Sequence, residues 1–366
     1  MRWLRLLVLL CLLATPCFGA TPDGRYLYVA VPGIRNYMEF GGHGVLVFDM
    51  DHGHRFVRRI PFGGTDRPGG KPLNVKGICA SPATGRLYVS TIRTLTCLDL
   101  HTDKVLWERS YDGGCDRMSI TPDGKTIYLP SLEDAFWNVV DAESGDVKAK
   151  IEPRSGAHNT VVGLDGTKAY LAGLKSPLLR VVDTKTNQTA IEVGPFTKPV
   201  RPFTVNGRQT RVYACVNELL GFEIGDVATG KVLARVEVPG FAKGPVKRHG
   251  CPSHGVGLTP DESQVWVCDA ANQRMHVFDN EVMPPKLIAS VPVREQPGWI
   301  TFSIDGVWAY PSTGEVIEVK SRNVVATLTD EHNVAVHSEK MIEIQFKDGR
   351  AIQSGDQFGL GRKTDN

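Results

Sequence analysis

A unit of about 40 residues recurs along this chain, and self-similarity on that scale restricts the fold more than any other feature of the sequence. Residues 117–151 show the unit whole. A short stretch at 117–120 runs into the turn Thr121-Pro122-Asp123-Gly124, and a second, apolar stretch follows at 126–129. A third, at 137–141, ends in Asp141, and the turn Ser144-Gly145-Asp146 leads into an alternating stretch at 147–151. Asp-Gly makes a tight hairpin turn because glycine takes a positive φ without steric cost. The unit therefore reads as four short antiparallel strands, the make-up of one propeller blade.

Turn and strand return together along the chain. Thr84-Gly85 precedes Leu87-Tyr88-Val89, Asp165-Gly166 precedes Ala169-Tyr170-Leu171, and Asn206-Gly207 precedes Val212-Tyr213. Pro260-Asp261 precedes Val265-Trp266-Val267, and Asp305-Gly306 precedes Trp308-Ala309-Tyr310. Near the amino terminus the unit starts in its middle: Thr21-Pro22-Asp23-Gly24 leads directly into Tyr26-Leu27-Tyr28-Val29. The absent first strand matches residues 341–346 near the carboxyl terminus, which run into Asp348-Gly349. The pattern predicts an all-β fold: a seven-bladed β-propeller of four-stranded antiparallel blades, one domain over 21–366, closed by strands from both chain ends. Such closure removes the exposed strand edges of an open ring.

Residues 1–20 read as a secretory signal. Arg2 and Arg5 precede the almost purely apolar stretch 6–13, and Cys17, Phe18, Gly19 and Ala20 end it with small residues. The apolar run is too short to span a bilayer, and no later stretch is long and apolar enough to do so, so no membrane span is expected. The chain is expected to be secreted or periplasmic after cleavage. With 42 basic against 40 acidic residues, it lacks the basic field that nucleic-acid binding requires. Past the signal stand Cys79, Cys97, Cys115, Cys215, Cys251 and Cys268. Cys79 and Cys97 sit inside apolar runs and read as small buried hydrophobes. Cys215, Cys251 and Cys268 fall near strand ends, where a bridge among them fits an oxidising compartment.

The recurring Thr-Pro-Asp-Gly turn before a Leu-Tyr-Val strand, with Val140-Asp141 or Val182-Asp183 closing the third strand, resembles the YVTN-type β-propeller repeat. The resemblance covers the chain beyond the signal. It implies a place among YncE-like exported propellers, in a superfamily that includes lactonase-like and amine-dehydrogenase-like members. It speaks to fold rather than activity, because the repeat consists of turn and core residues.

Function has to be sought in residues that the repeat does not require. Each innermost strand of a propeller begins near the mouth of the central channel, and polar residues crowd that position here. They are Asn74 and Lys76, Asp116 and Arg117, His158 and Asn159, Arg201, His254, Trp299, and then His337, Glu339 and Lys340. Lys247, Arg248 and His249 come shortly before His254. Taken singly, such residues serve to solvate a wet channel. As a set, they suit a small anionic or carbohydrate ligand, with arginine and lysine for carboxylate and Trp299 for a ring face.

The alternative is an enzyme of the lyase or lactonase type acting on a uronate or sugar acid. It would use His158 or His254 as the base and Arg117 or Arg201 to hold the carboxylate. A metal held by His158, His254 and His337 with Asp116 or Glu339 is a further alternative, so cofactor content stays unknown at this level. So does a role in assembly with a protein partner. His43, His52, His54, His101, His276 and His332 read as surface residues. The glycine-rich segments 32–43 and 62–73 are long enough to fold over the channel mouth.

Overall fold

The computed structural model describes residues 21–364, so the segment 1–20, read from the sequence as a secretory signal, lies outside the described residues. The chain forms a ring of seven antiparallel sheets, six of four strands and one of five. No described helix is long and apolar enough to cross a membrane.

Burial follows position in the blade. In blade two, the second strand Arg86–Thr91 is buried along nearly its whole length, whereas the outermost strand Val105–Ser110 is largely exposed. A middle strand is covered on both faces by neighbouring blades and so reads as a continuous apolar run. The tyrosine of the second strand has a further task. Tyr88 of blade two donates to the Ala142 carbonyl of blade three at 2.9 Å, and Tyr128 of blade three donates to Asn187 of blade four at 2.7 Å. Tyr213 of blade five donates to Asn280 of blade six at 3.1 Å, and Tyr310 of blade seven bonds His54 of blade one at 2.9 Å. Each ring lies in the core while its hydroxyl ties one blade to the next.

Both chain ends close the ring, as the repeat predicts. The strand Gly24–Val31 pairs with Met341–Lys347 on one side and with Gly44–Asp49 on the other. A fifth strand, Arg350–Ser354, adds to the inner edge of this blade. Beyond it the chain crosses the channel, a feature that no repeat signal anticipates. Gln357 is fully buried; its side chain accepts from the Ile78 amide at 3.2 Å and donates to the Met118 carbonyl at 3.1 Å. Gly359 accepts from Thr204 and from the Leu258 amide, and Thr301 donates to the Asp356 carbonyl. The tail thereby joins blades two, three, five, six and seven and forms the floor of the channel. Beneath it a cavity of about 530 Å³ lies against the inner strands of blades two to four.

Two expectations change at this level. His54 and His276 are buried rather than superficial, because each has a partner inside: Tyr310 for His54, and Asp269 with Ser290 for His276. All six described cysteines are free thiols, Cys215, Cys251 and Cys268 included. Every one is buried, and the bridge drawn among these three is not formed.

The floor is open to test. Replacing Gln357 by Ala leaves the Ile78 amide and the Met118 carbonyl buried and unpaired, which costs roughly 1–3 kcal/mol. Denaturant unfolding should report that loss as a lower midpoint with an unchanged slope.

Candidate functional site

Backbone irregularities, rather than regular strands, aim the side chains at the channel mouth. The ladder between the first two strands of blade two slips between Val75 and Gly77, leaving Lys76 as the extra residue. The same slip falls between Ala157 and Asn159 in blade four, where it leaves out His158, and between Val200 and Phe203 in blade five, around Arg201. A bulge turns one side chain out of the alternation that the strand would impose. In blade three the inner strand shortens to Ser119–Ile120, so Asp116 and Arg117 stay outside the ladder, and Arg117 bridges to Asn159 instead. In blade six Gly255 allows His254 to approach blade seven, since a Cβ there would stand 2.8 Å from Trp299 Cα.

These residues meet in a cavity of about 440 Å³ over the channel. At its base lies a compensated network of buried charges. Asp116 receives His158 Nδ1 at 2.7 Å, Lys76 Nζ at 3.2 Å and the Arg117 amide at 2.9 Å. Arg117 donates to His158 Nε2 at 3.2 Å and to Glu339, and its guanidinium lies 4.3 Å over the Trp299 ring. Lys340 donates to Glu339 at 2.7 Å and to the Gly33 carbonyl at 2.8 Å. Because Arg117 can only donate, His158 carries its proton on Nδ1, toward Asp116.

Burial alone would raise the Asp116 carboxyl, but His158, Lys76 and Arg117 together hold it down at about 2. Glu339 is likewise held well below the usual carboxylate range: burial works against ionisation, and Lys340 and Arg117 overcome it. Lys340 moves the other way, to about 7, through burial and the nearby Arg117 and Lys76, with Glu339 opposing. Burial lowers His158, His249 and His254 too, so neutral imidazoles line the wall. His254 Nδ1 lies 3.2 Å from the Gly298 carbonyl, which can only accept, and the lone pair of Nε2 is left unengaged.

The loops supply the rim. Arg35, from the 32–43 segment, reaches the Arg248 carbonyl at 2.9 Å, and Arg248 lies over Phe40 and Tyr37. The 62–73 segment does not line the cavity. Arg201 is held by Asn217 at 2.5 Å and by the Gly250 carbonyl.

Of the residues expected at the mouth, Asn74, Lys76, Arg117, His158, Arg201, His254, Glu339 and Lys340 line this cavity, and Asp116 lies behind them. Asn159 is buried, and neither its oxygen nor its nitrogen finds a partner among the described residues. Two residues are placed otherwise. Trp299 presents no open ring face, because Arg117 covers it and its indole N–H is engaged by the Gln357 carbonyl. His337 stacks on Phe40 at 4.2 Å, away from the cavity lining, and so does not share a metal position with His158 and His254. His158 itself has both ring nitrogens committed, to Asp116 and Arg117. The cavity takes in His249, Arg248, Arg35 and Glu133 as well. Arg248 and His249 show in the sequence only as neighbours of His254, and no repeat signal points to Arg35 or Glu133.

Asp116 supplies a test of the network. Its folded-state acidity lies below the ordinary value of 3.8, so its contribution is full above about pH 4 and lost as the pH falls toward 2. Asp116→Asn should therefore cost on the order of 2 kcal/mol at neutral pH. Unfolding measured across pH should show the gap to wild type closing between about pH 4 and pH 2.

Compared with known proteins, the chain matches no family model and no curated protein.

Proposed function

We propose that this chain is an exported propeller of the YVTN type that binds a small carboxylate-bearing ligand, such as a sugar acid, at the channel mouth. The observation that carries this reading is an imbalance of charge in the cavity. Arg35, Lys76, Arg117, Arg201, Arg248 and Lys340 line it, against Glu133 and Glu339. Asp116 and Glu339 engage Lys76, Arg117 and Lys340. Among the described residues, Arg35, Arg201 and Arg248 have only neutral partners. Three arginines on one cavity that have no carboxylate as their own partner favour an anion, and their planar donors suit a carboxylate bound through both oxygens. The cavity volume falls in the range of small-molecule pockets. The apolar segment 6–13 supports export, and the Asp-Gly turns and second-strand tyrosines support the YVTN affiliation.

One observation favours a second reading, an enzyme that removes a proton from such a ligand. His254 is neutral and keeps its Nε2 lone pair free, as a general base requires. In β-elimination from a uronate, that nitrogen would take the proton beside the carboxylate while the bond to the leaving oxygen breaks.

Calorimetric titration with galacturonate, glucuronate and their short oligomers separates these readings from a purely structural ring. Binding of the acids but not of glucose or galactose is expected, weakening with added salt. Arg201→Ala and Arg248→Ala should each weaken it by about tenfold or more. Equal affinity for the neutral sugars would overturn the anion reading. If an unsaturated product accumulates, His254→Ala should abolish it; binding without product leaves a binding protein.

A further inference from the structure

The wall of the cavity beside Glu339 has a feature that anion binding does not explain. Three donor atoms, one each from His249, His254 and Glu339, lie within 4.8 Å of one another. His249 Nε2 faces the Gln296 carbonyl at 3.4 Å, and His254 Nδ1 faces the Gly298 carbonyl at 3.2 Å. Both carbonyls only accept, so an imidazole bonded to one presents the lone pair of its other nitrogen to the cavity wall. His249 Nδ1 stands 3.3 Å from Glu339 Oε1, between side chains that are each about 95% buried. With the His249 proton on Nε2, that contact sets two acceptors against each other, and a cation between them relieves it.

We propose that His249, His254 and Glu339 form a binding site for one divalent transition-metal cation, best suited to zinc. Two imidazole nitrogens and one carboxylate oxygen make a donor set that zinc accepts, with bonds of about 2.0–2.2 Å. A tetrahedral ion with such bonds needs its ligand atoms about 3.3 Å apart. His249 Nδ1 and Glu339 Oε1 already stand at 3.3 Å. The rings of His249 and His254 stack at 4.7 Å and 19°, which keeps a donor atom of each within 4.8 Å of Glu339.

The surroundings resemble those that orient metal ligands elsewhere. Each imidazole is fixed by a backbone carbonyl on its far nitrogen, and both carbonyls come from one short segment, 296–298. Glu339 is oriented through its other oxygen by Arg117 and Lys340. Three protein ligands leave a fourth position free, the arrangement of a site that takes up a ligand. That position opens into the cavity with Arg201 and Arg248, so a carboxylate held by those arginines could also reach the metal.

The test uses the metal alone, so it stands apart from the anion-binding reading and can fail without it. Protein stripped with chelator and dialysed is titrated with Zn²⁺ at neutral pH, and Co²⁺ uptake is followed by visible absorption. One equivalent bound, with the intense cobalt bands of a four-coordinate site, is expected. His249→Ala and Glu339→Gln should each weaken Zn²⁺ binding by at least about a hundredfold. His337→Ala, which alters a ring stacked on Phe40, should leave it unchanged. His249 lies in a loop outside every strand, so H249A keeps the test valid if E339Q does not fold. Absence of a stoichiometric Zn²⁺ or Co²⁺ site in wild type would overturn the proposal and leave a proton shared by His249 and Glu339. So would binding that persists undiminished in H249A.

Discussion

The pairing of Gly24–Val31 with Met341–Lys347 is the contact on which the centre of this protein depends. A blade cannot bury its own faces, so an open ring would leave two sheets half covered and two strand edges exposed. Bringing the two ends together in one blade removes both faults at once. It also carries charged cavity residues to the axis. Glu339 and Lys340 immediately precede the closing strand, and the floor segment around Gln357 follows it. Ceiling and floor of the channel are therefore consequences of one strand pairing. The tyrosine hydroxyls that bond from blade to blade act in the same direction, holding adjacent sheets in register around the ring.

The base of the cavity shows how a propeller can hold charge away from bulk solvent. Asp116, Arg117, Glu339 and Lys340 are almost wholly buried, and each has a partner of opposite sign. Unpaired, such groups would be neutralised or would unfold the site; paired, they set the protonation of their neighbours. Asp116 and Arg117 between them occupy both nitrogens of His158 and leave His254 as the imidazole with an unengaged nitrogen. The division of labour between these two histidines follows from hydrogen bonding alone. In the larger cavity lined by the tail, Asp356 and Arg362 are the charged lining side chains among the described residues, and they pair with each other.

The architecture was legible in the sequence because its determinants are local. Turns such as Asp123-Gly124, the second-strand tyrosines and the unit that begins in its middle at Thr21 are all short-range patterns repeated at a constant period. Covalent neighbours and hairpin geometry suffice to read them, and the closing strand follows by counting. The cluster at the mouth was legible in outline for the same reason, since position before an inner strand is a property of the repeat. Residues in loops without a period, Arg35 and Glu133 among them, carried no such mark.

Tertiary structure alone decided which of these side chains meet. Arg117 and Glu339 are 222 positions apart, and no local rule links them. The bulges that release Lys76, His158 and Arg201 depend on how two strands pair, which a single strand's sequence does not disclose. Trp299 reads as a ring face for a carbohydrate and lies beneath Arg117; His337 reads as a ligand or metal residue and lies stacked on Phe40. In each case the outcome turns on a neighbour brought in from another blade or loop. The sequence by itself determined the ring, because turn chemistry and strand periodicity act within a few residues. Only the closed ring decided the site, because its charges acquire their partners, and hence their protonation, across blades.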